Sequence, residues 1–297
     1  MFKIISDGGC DFTGKEAAQH QIDVIPFYVN FDGDFLKVGV DITTERFFER
    51  LSAEKGVFPK TSQPNPQDYI DVLQPILEKG EDVLIVTISS KLSGSYNSAS
   101  IAADILQEEF PQRQVIIFDS LTGSIAQGLI LREIIKMRDA GYTLKRTAEL
   151  ARKVQETSRV YITLETLEYA KRGGRIGPTT AFVGGILGLR PILQVENGEV
   201  SQLDSVRGKK NVMRLLLAGA VEALADEKEN IQLSVGHIFT GKDAGKFKDD
   251  LETQLGIQVS TPVTELGATI GAHAGPGALA FAYCKKYQAV EGGNTHA

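Results

Sequence analysis

The sequence predicts an α/β protein in two parts. Residues 1–158 form an N-terminal domain with a mostly parallel sheet flanked by helices, and residues 159–288 an α+β domain with a mixed or antiparallel sheet. Three observations predict this. Apolar runs without polar alternation, Val83–Ile88 and Val115–Phe118, recur between helical stretches of the first half, as parallel strands covered on both faces do. In the second half Asn197-Gly198 separates two strand-like runs, a two-residue hairpin signal set among helices. The chain of 297 residues is long enough for two packed cores.

The elements follow in order. Phe2–Ser6 reads as a strand, Thr13–Gln19 as a short helix, and Val24–Phe31 as one extended run turning at Asp32-Gly33-Asp34 into a hairpin. Thr43-Thr44-Glu45 before Phe47, Phe48 and Leu51 has the form of a capped helix. Pro59, Pro64 and Pro66 hold Thr61-Ser62-Gln63 extended, and a helix runs from Pro66 to the stop at Gly80. Helices after Ser95, over Ser124–Asp139 with Gly141 as its C′ residue, and from Thr143 to about Glu156 complete the first half. In the second half Val160–Leu164, Pro191–Val195, Val200–Val206, Leu233–Phe239 and Gln258–Val263 read as strands. Leu167–Lys171, Pro178–Leu187, Asn211–Ala225 and Ala244–Leu255 read as helices, and 289–297 as a disordered tail.

Composition excludes several function classes. Hydrophobic content of 42% and charged content of 24% suit a soluble globular chain, and the net charge of −6 argues against nucleic-acid binding. Cys10 and Cys284 are too few and too far apart for a disulfide framework or a zinc site. The N-terminus opens on a short strand-like run rather than a signal sequence, and no apolar run reaches transmembrane length, so a cytoplasmic location is expected.

The most informative stretch is Ile88–Asn97, four serines and an Asn between a buried strand and a helix start. It caps the helix or cradles an anionic, oxygen-rich ligand head. Gly271–Gly277 sets His273 among glycines, which allow close backbone approach and leave the imidazole accessible; the alternative is an ordinary tight turn. Asp7, Asp11 and Asp119 stand at strand ends, where open α/β sheets gather their sites or simply cap helices. Lys171, Arg172 and Arg175, with Arg207, Lys209 and Lys210, form basic loops that are either solvated faces or sites for an anion or partner. No nucleophile elbow, P-loop, dinucleotide fingerprint or metal-ligand spacing is present. The polar groups of a site without the equipment of a standard catalyst favour a binding protein.

Asp7-Gly8-Gly9-Cys10-Asp11, Thr61-Ser62-Gln63-Pro64, Ser89–Asn97, Asp119-Ser120, Tyr169–Ile176, Arg190-Pro191-Ile192, Arg207-Gly208-Lys209 and His273–Gly277 together resemble, in order, the motifs of the DegV family. The departure is Gly8-Gly9, which removes a hydroxyl common at that turn. The resemblance implies a fatty-acid carrier without catalysis of its own. It would hold one chain of about C14–C18 in an interdomain tunnel and present it to a separate ATP-dependent fatty-acid kinase subunit, with an acyltransferase downstream and transient membrane contact. It implies no cofactor and no metal. Carried over by motif, Thr61, Ser62 and Ser93 hold the carboxylate with His273 beside them. Gly94, Ser95, Asn97, Asp119 and Gly275 form a secondary polar network, and Arg172, Arg175, Arg207 and Lys209 face the partner or the phosphate. Tunnel walls are expected from Phe27, Ile88, Leu92, Phe182, Ile186, Leu187, Leu189, Ile192 and Phe281, with Gly184, Gly185 and Gly188 leaving room. The competing readings are an acyl hydrolase or transferase using Ser93 or Ser95 with His273, and a phospho-ligand or nucleotide binder.

Overall fold

Four parallel strands make the first sheet: β1 (Phe2–Asp7), β2 (Asp23–Ile25), β6 (Asp82–Thr87) and β7 (Val115–Asp119), in the order β2-β1-β6-β7. They belong to a computed structural model that describes residues 2–31, 33–54, 56–176 and 189–292. The helix expected over Pro178–Leu187 lies outside the described residues, with Phe182, Ile186 and Leu187 and the glycines Gly184, Gly185 and Gly188. β1 and β6 run in register from Phe2 opposite Asp82 to Ser6 opposite Val86. Parallel strands need crossovers that cover both faces. α3 (Pro66–Glu78) and α4 (Ser95–Glu109) cover one face through Tyr69, Leu73, Ala99 and Leu106. α3 starts on an Asn65–Asp68 capping box with Pro66 in its first turn.

The run Val24–Phe31 is not one strand. Pro26 has no N–H for a ladder, and the chain leaves the parallel sheet there. It re-forms as β3 (Tyr28–Phe31), centre of a small antiparallel sheet with β4 (Asp34–Lys37) and β5 (Lys60–Ser62). Between β4 and β5 lies α2 (Thr44–Ala53), whose cap is Thr43 accepting from the Arg46 N–H; α1 (Gly14–Gln19) is capped likewise by Thr13.

α5 (Ser124–Asp139) is buried along most of its length, because it lies between the two large sheets. It touches β1 on one side, and on the other β8 (Arg159–Thr163), β11 (Ile231–His237) and β13 (Leu279–Lys285). α6 (Leu144–Glu156) follows the αL residue Gly141 and packs beside it. The second sheet adds β9 (Leu189–Glu196), β10 (Glu199–Arg207) and β12 (Thr264–Glu265), in the order β10-β9-β8-β13-β11-β12, antiparallel except for β11 with β12. β9 and β10 meet at Asn197-Gly198, both with positive φ (50° and 86°), the geometry of a type I′ hairpin.

α7 (Glu168–Arg172) and α10 (Ala268–Ala274) pack together on the inner side. α8 (Lys209–Leu224) and α9 (Gly241–Leu255) cover the outer face through Val212, Leu216, Phe247 and Leu251. The strand expected over Gln258–Val263 does not form; the short β12 begins just after it. Ser260 and Thr261 instead tie to β11 through side-chain bonds, the Leu233 N–H to Ser260 Oγ at 3.1 Å and the Thr261 hydroxyl to Ser234 Oγ at 2.8 Å. The expected tail is partly helical: α11 (Tyr287–Glu291) is held where Glu291 accepts from Tyr142 Oη at 2.6 Å and Arg146 at 3.0 Å. Among the described residues no helix is long and apolar enough to cross a membrane.

Candidate functional site

Between the two large sheets lies a cavity with apolar walls. Strand alternation builds one wall, since every second residue of β8, β9 and β10 faces the same way. Val160, Val195 and Val200 form one cross-strand row, and Ile162, Leu193 and Ala280 the next. Phe27, Ile88 and Leu92 line the opposite side, with Thr269 and Ile270 of α10. Ile192 and Phe281, expected in the tunnel, are one residue out of phase. They pack on the sheet's other face against α8 and α9, where Phe281 stacks on Tyr161 at 5.1 Å. Leu189, at the start of β9 opposite Arg207, also lies outside the lining.

Four polar side chains of the lining cluster together: Thr61, Ser93, Arg175 and His273. Thr61 Oγ1 and His273 Nε2 are 2.7 Å apart, joining β5 of the first half to α10 of the second. Burial, then the nearby Arg175 charge, pushes the imidazole pKa down to about 4, so His273 is neutral at pH 7. Among the described residues its Nδ1 is buried without a partner. Either tautomer therefore leaves one proton uncommitted: if Nε2–H donates, the Thr61 hydroxyl is free, and if Thr61 donates, Nδ1–H is free. The Ser93 oxygen accepts the Ser95 N–H at 3.2 Å, which leaves the Ser93 hydroxyl proton available.

Arg175 donates to two carbonyls, Leu92 O at 3.1 Å and Gly173 O at 2.5 Å. No carboxylate pairs with it among the described residues. Burial lowers its pKa. A half-buried cation without an acid, beside two free hydrogen-bond donors and an apolar cavity, can receive one anionic oxygen head carrying an apolar chain. Arg175 thus lines the cavity, where the resemblance had it facing the partner or the phosphate.

The other expected residues fall elsewhere. Ser62 follows Thr61 on β5, so alternation turns it out of the cavity, and it is exposed. Asn97 is exposed on α4. Asp119 braces a turn, accepting the Ser90 and Leu121 N–H groups at 3.1 and 3.0 Å. Gly94 and Gly275 allow close approach. A Cβ at Gly94 would stand 2.4 Å from Gln63 Nε2, and one at Gly275, where φ is +71°, 2.3 Å from the Tyr169 ring. Arg172 lies exposed over the Phe58 ring at 4.0 Å, Lys209 pairs with Asp243, and Arg207 is exposed at the end of β10.

Two features escaped the sequence reading. Gln63 accepts the Gly94 N–H at 2.9 Å and so braces the start of α4. The hairpin turn docks on the serine turn, the Ser89 hydroxyl donating to Gly198 O at 2.7 Å. Asp11 likewise joins the halves, accepting from the Ser124 hydroxyl at 2.6 Å and the Gly267 N–H at 2.8 Å. Among the described residues no group of three His, Cys, Asp or Glu side chains could hold a metal ion.

The sequence model of the DegV family, described as uncharacterised proteins, matches residues 1–286. The chain belongs to the DegV family. A DegV domain-containing protein of Clostridium acetobutylicum is 30% identical over 281 residues, covering 95% of this chain and 96% of that one. A crystallised stearic acid-binding protein from Eubacterium ventriosum superposes with a TM-score of 0.92 at 28% identity, covering 97% of this chain and all of that one. A DegV family protein from Thermus thermophilus, described by its fatty-acid binding, gives 0.85 at 30% identity, over 96% and 99% of the two chains. The α/β architecture, with a parallel first sheet and a mixed second one, is that of these solved structures.

Proposed function

We propose that this DegV protein binds one long-chain fatty acid of about C14–C18 in the cavity between its sheets, with the carboxylate at Thr61, Ser93 and His273 and Arg175 as counter-charge. The observation that carries the reading is the joint one: an apolar cavity containing one unpaired cation and two uncommitted donors. The fatty-acid binding described for relatives at 28% and 30% identity supports it. Burying a chain of fourteen or so methylenes at about 0.8 kcal/mol each outweighs any head-group bond, so the walls supply affinity and the polar cluster fixes the carboxylate.

In this reading the protein is a cytoplasmic carrier without chemistry of its own, picking up its ligand in transient contact with the membrane. It offers the carboxylate oxygen to a separate ATP-dependent kinase subunit, the acyl phosphate passing on to an acyltransferase. Arg172, exposed beside the cluster, is the residue we assign to that partner. A hydrolase is disfavoured because His273 Nε2 is bonded to Thr61, and among the described residues no hydrogen bond joins the imidazole to Ser93.

Gentle purification followed by solvent extraction and mass spectrometry is expected to yield about one equivalent of fatty acid per chain. Recovery of no lipid, with no fatty acid bound on re-addition, overturns the reading. With a fatty-acid kinase subunit and ATP, Ser93→Ala with His273→Ala is expected to lower acyl phosphate formation by an order of magnitude or more, roughly 1.5 kcal/mol for each charge-assisted bond lost. Unchanged turnover sinks the carboxylate assignment.

A further inference from the structure

We infer that Asp7 is a positioning residue for head-group recognition, bracketing the turn between β6 and α4 so that the Ser93 hydroxyl is held at the cavity. The inference rests on the fatty-acid reading and adds to it a residue that does not touch the ligand. Asp7 is the last residue of β1 and is completely buried. A buried carboxylate with no cation beside it is costly unless donors satisfy it.

Here four do. Oδ1 accepts the Gly9 N–H at 3.1 Å and Gln127 Nε2 at 3.0 Å; Oδ2 accepts the Ile88 N–H at 3.0 Å and the Ser95 hydroxyl at 2.6 Å. The last two matter most. Ile88 leaves β6 and Ser95 begins α4, so one oxygen grips both ends of the turn that carries Ser93.

The chain of protons runs one way. Ser95 has a single hydroxyl proton and gives it to Asp7, so the Tyr69 hydroxyl, 2.7 Å away, must donate to Ser95. With its hydroxyl committed, Ser95 is fixed. Its N–H then occupies one acceptor site of the Ser93 oxygen and leaves the Ser93 proton free to face a ligand. An Asn in place of Asp7 offers one acceptor oxygen and a donor NH₂, so two of the four donors lose their partner.

The test separates head-group recognition from folding. Dissociation constants of the Asp7→Asn variant and the wild type are measured for hexadecanoic acid and for hexadecanol, which share the chain and differ in the head. The wild type is expected to favour the acid, and Asp7→Asn to reduce that acid-to-alcohol ratio about tenfold while alcohol affinity stays within about twofold. A merely structural loss would lower both affinities together. If Asp7→Asn does not fold, Ser95→Ala, which frees one end of the turn, is expected to reduce the ratio about threefold. A ratio equal to that of the wild type in a folded variant overturns the inference, as does a joint fall in both affinities. A wild type that binds neither compound overturns the fatty-acid reading itself.

Discussion

Gly173→Ala is expected to weaken fatty-acid binding at least tenfold and to lower stability by about 1–3 kcal/mol. Gly174→Ala, one residue on, is expected to leave binding unchanged. The two glycines are both small, adjacent and in the same basic loop, and geometry separates them. Gly173 has an ordinary backbone, φ −72°, yet a Cβ there would stand 2.1 Å from His273 Nδ1 and 3.1 Å from the Tyr169 carbonyl oxygen. The carbonyl belongs to α7, so the imidazole is what must move, and moving it breaks the 2.7 Å contact with Thr61. Gly174 has φ +70° with nothing near its Cβ position. Alanine there costs about 1 kcal/mol of backbone strain and touches no ligand group. Titration of both variants with a fluorescent fatty acid, alongside urea unfolding, reads the contrast. Equal affinities would remove His273 from the binding cluster.

Much of this arrangement was legible in the chain. The unbroken apolar run Val83–Ile88 announced a strand covered on both faces, and Asn197-Gly198 announced the hairpin, because each signal depends on residues close in sequence. The polar cluster was legible only through its motifs, since Thr61 and His273 meet across 212 residues of separation. What the sequence could not set was phase. Ile192 and Leu193 are equally apolar, and only the register of β9 on β8 decides which faces the cavity. The same one-residue question separates Thr61 from Ser62. The direction of Arg175 was not legible, because a basic loop reads alike whether its charge meets a partner, a phosphate or a cavity, and here two carbonyls hold the guanidinium inward. The break at Pro26 was readable, because a missing N–H ends a ladder whatever the neighbours prefer.

Acidification is expected to cost this protein stability through His273 between pH 6.5 and about 4. Its folded pKa, near 4, lies below the ordinary value of 6.5, so on lowering the pH the unfolded chain takes up the proton first. The contribution is therefore fully present above pH 6.5, falls as the pH drops through that window, and levels off below about 4. The shift corresponds to roughly 3 kcal/mol at most. Asp11 acts in the opposite sense: burial holds its carboxyl at about 6, so it loses stability as pH rises from 3.8 to 6. His237, also pushed down by burial, acts with His273. The wild-type profile is thus a sum, and the informative quantity is its difference from His273→Gln, in which Asp11 and His237 cancel. Urea unfolding at several pH values is expected to show the wild type losing up to about 3 kcal/mol more than the variant between pH 6.5 and 4. Parallel profiles would show that the imidazole is not buried as neutral. Saturating fatty acid supplies the test its second half. A carboxylate set beside Arg175 and His273 opposes the guanidinium charge and favours the imidazolium, so the acid-induced loss should shrink more in the wild type than in the variant.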